Sequence, residues 1–332
     1  MPMLAATVPA DFSGTMRLDS YIASLPDGIS RSQLKSCAQE LLLNGKNAKL
    51  SAKVSAGDVI DVLWEESIPE NIEPEDIPLD IVYEDADAAV INKRQGMVTH
   101  PAAGNWTGTL VNALLFHWNL PAVPQLKSGE AADNEILVRR RPGIVHRLDK
   151  DTSGLIVTAK NRKAEAWLCR QFKDRLIQKE YICIVCGRPP ASAGDVKTQI
   201  VRDMKNRHRF KAVTATEEGK FARTLYHCIA CYGRYSVMRV RIKTGRTHQI
   251  RVHMRYLGCP ILGDSIYGRR DELFPNATLM LHSRQMIVRL SEAARYRRFR
   301  AAVPKRFHET LLALRKKFPR ETMPKVHPKC KK

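Results

Sequence analysis

The 332-residue chain is long enough for two domains, and at 44% hydrophobic residues it can bury a core. Its 55 Lys and Arg against 34 Asp and Glu leave a formal charge of +21, which points to a polyanionic partner. No apolar run approaches membrane-spanning length, Met1 to Gly14 offers no Lys or Arg ahead of an apolar stretch, and eight cysteines make no disulfide framework in so long a chain. The expectation is a soluble protein of the cytoplasm or of a genome-containing organelle, with no membrane association.

A small first unit is expected over residues 15–65. Leu18, Tyr21, Ile22 and Leu25 have the spacing of an amphipathic helix. Ser30 with Gln33 reads as a capping box for a second helix, whose apolar stripe is Leu34, Cys37, Ala38, Leu41 and Leu42. Asn44-Gly45 ends that helix or turns the chain, and short strand-like runs follow as far as Trp64. Arg17, Arg31, Lys35 and Lys46 lie between the apolar positions, as a solvated face or as a docking surface for a phosphate backbone.

Glu65 to Asp87 holds ten carboxylates and no Lys or Arg, with Pro69, Pro74 and Pro78 spaced through it. An acidic linker is placed at 66–76 and a large domain at 77–307. Strands are expected at Ala88–Asn92, Gly154–Thr158, Tyr181–Val185, Tyr235–Ile242 and Met286–Leu290, and helices at Thr109–His117 and Lys163–Arg175. Helices scattered among strands with no regular βαβ repeat indicate an α+β fold. Gln125 to Arg141 reads as a polar insertion, and 308–332 as a basic tail with a short helix around Leu311, Leu312 and Leu314.

Cys183/Cys186 and Cys228/Cys231 have CxxC spacing, which raises a zinc site. Both pairs sit in strand-like runs, where residues i and i+3 point to opposite faces, so no metal site is expected. Two other stretches concentrate chemistry. In Gly143-Ile-Val-His-Arg-Leu-Asp-Lys-Asp-Thr-Ser-Gly154, Asp149 lies near Arg147 and Lys150, where an ionised carboxylate can act as nucleophile or base. In Thr244-Gly-Arg-Thr-His-Gln-Ile-Arg-Val-His253, Arg246, His248, Gln249 and Arg251 crowd one short element. A buried arginine there needs a carboxylate, and Asp149 is a candidate.

His146 to Gly154 resembles the signature of the RluA/RluD-type pseudouridine synthases, and so do Gly245 to His253, Leu257 to Asp264 and Tyr267-Gly268. Asn92-Lys93, Gly108 to Leu114, Lys179-Glu-Tyr181, Gly219 to Thr224 and Leu281-His282 are similar to further blocks of that family, in the same order from about Ile72 to Val303. The first unit resembles the S4-like, or alpha-L, RNA-binding module. Arg94, Cys259 and Ser283 depart from the family's usual Pro, His and Ala.

The resemblance implies a pseudouridine synthase fold, an extended and largely antiparallel mixed sheet flanked by helices. It implies isomerisation of uridine in structured RNA without cofactor or metal. Asp149 would be the catalytic carboxylate, attacking the sugar or removing a proton from it. Arg251 would pair with it, Tyr181 would stack on the target base, and Arg147 would fill the gap left by the flipped nucleotide. His146, Arg246, His248 and Gln249 would contact RNA. The expected substrate is large-subunit ribosomal RNA, with transfer RNA as the alternative, and the protein is expected to be a monomer. A non-catalytic ribosome-assembly factor would share the basic charge, and a glycosidase would need a second facing carboxylate that no motif offers.

Overall fold

The computed structural model describes residues 3–25, 31, 34–35, 38–64, 71–102, 104–124, 143–204, 206, 209–213 and 219–321. The backbone divides into two compact units, one built on Met1–Ile72 and the other on the chain from Glu73 onward, apart from short segments between 102 and 130.

The first unit contains β1 (Met3–Thr7), β2 (Met16–Arg17), α1 (Leu18–Ser24), β3 (Ala38–Leu43), β4 (Lys46–Asn47), β5 (Lys53–Val54), β6 (Val59–Trp64) and β7 (Asn71–Ile72). Four strands form an antiparallel sheet in the order β1-β6-β3-β4. Leu18, Tyr21 and Ile22 from α1 pack with Leu34, Leu41, Ile60 and Val62. Arg31, Leu34 and Lys35 are helical, whereas the capping residues Ser30 and Gln33 fall outside the described residues.

The expected second helix does not continue through Leu42. Ala38–Leu43 is a strand, pairing Leu41 with Val62 and Leu43 with Ile60. Its apolar residues satisfy both periods, and partner strand β6 decides between them. Asn44 and Gly45, at φ 54° and 72°, form the two-residue turn into β4, a conformation that favours this pair.

The second unit contains β8 (Ile81–Glu84), β9 (Ala88–Lys93), α2 (Leu110–His117), β10 (Val123–Pro124), β11 (Ser153–Ala159), α3 (Arg162–Lys173), β12 (Gln178–Cys186), β13 (Ala193–Arg202) and β14 (Phe210–Val213). It continues with β15 (Lys220–Tyr232), β16 (Tyr235–Ile242), α4 (Gln249–Tyr256), β17 (Leu281–Val288), β18 (Arg297–Arg300) and α5 (Lys305–Lys317). Ten strands form one sheet in the order β14-β13-β15-β16-β12-β17-β11-β9-β8, with β18 also on β17. Only β11 and β17 pair in parallel; the other pairs are antiparallel, so the α+β expectation holds.

Alternation along the strands builds two cores. Ala89, Ile91 and Ile156 pack with Leu110 and Leu114 of α2 and with Phe307 and Leu314 of α5. Ala88, Val90, Leu155 and Val157 pack on the other face with Ala164 and Leu168 of α3. Every residue of β11 is buried, as expected for a strand covered on both sides. Thr109 caps α2 by accepting the Asn112 N–H, and Asn112 Oδ1 accepts the Thr109 N–H at 3.0 Å.

Ile81–Glu84, inside the domain expected from residue 77, is the edge strand β8, where Glu84 meets Lys160 at 2.8 Å and His117 at 2.9 Å. The last expected strand extends back to Leu281. The helix expected around Leu311, Leu312 and Leu314 is α5, which buries Phe307, Thr310 and Leu314, and Glu321 bridges to Cys231. The insertion expected at 125–141 falls outside the described residues. In β15 a bulge between Cys228 and Ala230 breaks the alternation, and Cys228 and Cys231 come to one side with sulfurs 3.5 Å apart. That corrects the opposite-face expectation for this pair. Among the described residues, no three His, Cys, Asp or Glu side chains are grouped to hold a metal ion.

Candidate active site

Asp149 sits in the loop that enters β11, and the chain after β9 holds that loop by its carbonyls. Thr99 Oγ1 donates to Leu148 O at 3.0 Å, the Gly96 N–H to Lys150 O at 2.9 Å, and Gln95 Nε2 to Asp151 O at 2.9 Å. Buried Lys93 donates from Nζ to Met97 O at 2.8 Å, Arg94 O at 3.1 Å and Lys150 O at 3.2 Å. Burial pulls the Lys93 ammonium down to about 8, against the fields of Asp149 and Asp151. Gly154 lets the loop pass straight into the parallel pairing of β11 with β17. A Cβ there would overlap the Ser283 carbonyl.

Across the cavity, Arg251 projects from α4. Its Nε and Nη2 both donate to Asp264, each at 2.8 Å, in a bidentate pair. Its Nη1 reaches Asp149 Oδ2 at 3.5 Å, too long for a strong bond. The expected pairing of Arg251 with Asp149 is therefore secondary, and Asp264 is the main partner. Asp264 is fully buried and Arg251 nearly so, whereas the Asp149 side chain keeps 21% of its surface open. Burial opposes both charges of the inner pair. Their mutual hydrogen bonds more than offset it, so Arg251 titrates above its usual range and Asp264 below. Asp264 Oδ1 also accepts the N–H groups of Ile266 and Tyr267, and the Tyr267 ring lies 5.2 Å from the Arg251 guanidinium.

Tyr181 stands on β12, where a register shift between Glu180 and Tyr181 interrupts pairing with β17. It is 5% exposed yet lines the cavity beside Asp149. Burial raises its phenol well above the ordinary value, Ser283 opposes through a hydrogen bond, and Asp149 adds to the rise. His248 caps the start of α4 at φ 54°, a left-handed conformation uncommon for residues other than glycine. The Tyr267 hydroxyl lies 2.9 Å from His248 Nδ1 and also accepts the Phe210 N–H. Burial lowers the His248 pKa and keeps the ring neutral.

Asp149, Arg251, Tyr181, Arg147, Arg246, His248 and Gln249 thus line one cavity, together with the apolar Leu148, Ile242, Ile250 and Leu281. Two of the expected RNA contacts are otherwise engaged. Gln249 is buried and its amide is used internally. Its Oε1 accepts from Thr244 Oγ1 and the Arg246 N–H, and its Nε2 donates to Arg223 O and Thr224 Oγ1. His146 packs on Phe172 at 4.5 Å and accepts the Val157 N–H, lining a neighbouring cavity instead. In the first unit, Arg17 and Arg31 both reach buried Asp19, at 3.0 and 2.9 Å, and Lys35 and Lys46 are exposed. Sequence reasoning missed Asp264, Tyr267, Lys93 and Lys179. All four lie inside the matched motifs, but the motifs carry no sign of who pairs with whom.

Residues 87–256 match the sequence model of the RNA pseudouridylate synthase family. The chain is 41% identical over 298 residues to a ribosomal large subunit pseudouridine synthase D of Borreliella burgdorferi, covering 88% of this chain and 87% of that protein. It is 41% identical to a protein of the same name from Zymomonas mobilis, covering 81% and 82%. An RNA pseudouridine synthase 2 of Arabidopsis chloroplasts is also 41% identical, over 77% of this chain and 65% of that one. Among solved structures, human RNA pseudouridylate synthase domain containing 4 superposes with a TM-score of 0.55 at 24% identity, over 74% of this chain and 94% of that one, a likeness of fold. The matched span contains Asp149, Tyr181 and Arg251 together, and the chain belongs to the RNA pseudouridylate synthase family of RNA-modifying isomerases.

Proposed function

We propose that this chain isomerises uridines of large-subunit ribosomal RNA to pseudouridine, with Asp149 as the catalytic carboxylate. The observation that carries this reading is the division of labour around Arg251. Asp264 takes two of its nitrogens, and the third steadies Asp149 without enclosing it. The carboxylate keeps an open edge toward the cavity, where it attacks the anomeric carbon or takes a proton from the sugar.

A stacked nucleotide hides its glycosidic bond, so the uridine must leave the RNA stack to reach Asp149. Leu148, Ile242, Ile250 and Leu281 then exclude water, so the detached uracil is recaptured at carbon 5 rather than lost to hydrolysis. The raised pKa of Tyr181 keeps it a neutral phenol, suited to packing against the base. Arg147 and Arg246 supply positive charge at the cavity wall. The first unit serves as the alpha-L-like docking module, with Arg17, Arg31, Lys35 and Lys46 toward phosphates. The protein acts as a monomer in the compartment where ribosomes assemble, and no helix among the described residues is long and apolar enough to cross a membrane.

The test is pseudouridine mapping on unmodified large-subunit ribosomal RNA with wild type and Asp149→Asn. Wild type is expected to modify discrete sites. The variant is expected to lose at least about four orders of magnitude in rate while binding RNA within about twofold. Modification of transfer RNA alone would overturn the substrate, and an active Asp149→Asn would overturn the mechanism.

A further inference from the structure

Beside the uridine cavity lies a larger one of about 630 Å³, sharing with it Arg147, Lys179, Ile242, Gly245 and Arg246. Its walls carry Lys173 at the end of α3 and Arg175 just beyond it, Lys179 on β12, Arg241 and Lys243 at the end of β16, and Arg298 on β18. One carboxylate lines it, Glu180, and that is taken by Arg241 at 2.8 Å. Among the described residues, no carboxylate lies within ion-pair distance of Lys173, Arg175, Lys179, Lys243 or Arg298. Lys173 complements the C-terminal end of α3, which accounts for that cation alone. The others come from strands and from the turn beyond the helix.

Two of these cations are held at a cost to the fold. Arg175 has φ 58°, at the turn that ends α3, where glycine is the usual residue. Lys179 is drawn into the wall with its Nζ 5.1 Å over the Phe172 ring, and burial lowers its pKa to about 8. A strained arginine and a desolvated lysine, both lacking a carboxylate, persist where something outside the chain supplies the opposite charge.

We propose that this cavity is a second nucleotide site, which holds a phosphodiester flanking the flipped uridine and so sets which uridines can enter. The inference rests on the RNA-modifying reading above and deepens it. The two cavities adjoin along Arg147, Lys179, Gly245 and Arg246, so a strand whose uridine lies against Asp149 can run its neighbouring phosphate past Lys179 and Arg175. A cavity of this size accommodates a nucleotide. Its cations read charge and backbone path rather than base identity.

Arg175→Gly separates a binding role from a structural one, because glycine relieves the backbone strain while deleting the cation. The measurement is anisotropy of a fluorescein-labelled hairpin RNA with uridines in its loop, titrated at several salt concentrations. Arg175→Gly is expected to melt at or above the wild-type temperature. It is expected to bind about fivefold more weakly at 0.1 M salt, with a log–log salt slope shallower by about 0.7. Lys179→Met should match it in affinity and slope. Lys305→Gln, which removes an exposed α5 cation that meets Glu309, should stay within twofold of wild type by the usual worth of such pairs, roughly. A neutral methylphosphonate beside one loop uridine should weaken wild type by the same factor and leave Lys179→Met unchanged. Arg175→Gly and Lys179→Met binding no worse than Lys305→Gln would overturn the site. Tight, cavity-dependent binding with no pseudouridine formed would support the site and overturn the isomerase reading instead.

Discussion

The same two side-chain types meet in opposite proportions in the two units. In the large unit one arginine, Arg251, stands between two carboxylates, and it is buried along with Asp264. In the small unit one carboxylate, Asp19, stands between two arginines, and it is buried while Arg17 and Arg31 remain more than half or half exposed. The hydrogen bond from Arg17, aided by Arg31, holds the Asp19 carboxyl far below its usual range. In each unit the outnumbered charge is enclosed and at least one surplus partner stays open, Asp149 in the large unit and both arginines in the small one. On the proposed function, the outnumbered arginine leaves a carboxylate for chemistry, whereas the outnumbered aspartate leaves arginines for phosphate.

The largest effect expected from breaking this arrangement is at Asp264. Asp264→Asn removes the charge that occupies two of the Arg251 nitrogens. The guanidinium then turns to Asp149 as its remaining carboxylate and ties up the oxygen that the proposed mechanism needs free. Turnover is expected to fall at least about a hundredfold, and the fold to lose about 3 kcal/mol, the usual scale for uncompensated buried charge. Single-turnover kinetics and urea denaturation measure the two separately. Wild-type turnover in a destabilised Asp264→Asn would mean that Asp264 supports the fold without keeping Asp149 available.

Lys179 sharpens the comparison because it has a desolvated charge and no carboxylate. Burial lowers its pKa from the lysine value to about 8, with His146 and Phe172 packed nearby. A bound phosphate favours the charged form, so binding raises that pKa and takes up a proton once the pH exceeds about 8. RNA affinity is therefore expected to fall as pH rises from 7 to 9.5, by up to about fivefold, the worth of one phosphate contact at 0.1 M salt. Lys93 titrates over the same range, so Lys179→Met is the control: its affinity should be flat with pH. A pH-dependent Lys179→Met would assign the titration elsewhere.

What the sequence makes legible is whatever lies within one element or one contiguous motif. Strands such as Ala88–Lys93 and Ser153–Ala159 are marked by apolar runs that the sheet covers on both faces. Asp149, Tyr181 and Arg251 stand out because each sits in a dense block. What pairs with what is decided by tertiary contacts that no block displays. Arg251 looks like a partner for Asp149, and only the return of the chain after α4 brings Asp264 into a bidentate fork. Gln249 and His146 look like RNA ligands because a polar side chain reads alike whether the fold satisfies it or not. Leu41 and Leu42 fit a helix and a strand, and β6 settles them as strand. Cys228 and Cys231 meet because a bulge inserts one residue, a shift that spacing alone does not reveal.

The smallest effect, and the sharpest test of the comparison, lies at Asp19. Asp19→Asn keeps the size of the side chain but removes the charge that orients Arg17 and Arg31. Neither arginine is lost, so the electrostatic attraction to RNA persists and even gains from the deleted negative charge. What is lost is the fixed placement of two guanidinium groups. The KM for RNA is accordingly expected to rise only about threefold, with kcat unchanged, because entropy lost in ordering long side chains is modest per group. The salt slope should stay the same, whereas Arg17→Gln or Arg31→Gln should each make it shallower by about 0.7. Steady-state isomerisation across a salt series distinguishes the two. A fall in kcat for Asp19→Asn would tie the small unit to the chemical step, and the two arrangements would then no longer divide binding from catalysis between the units.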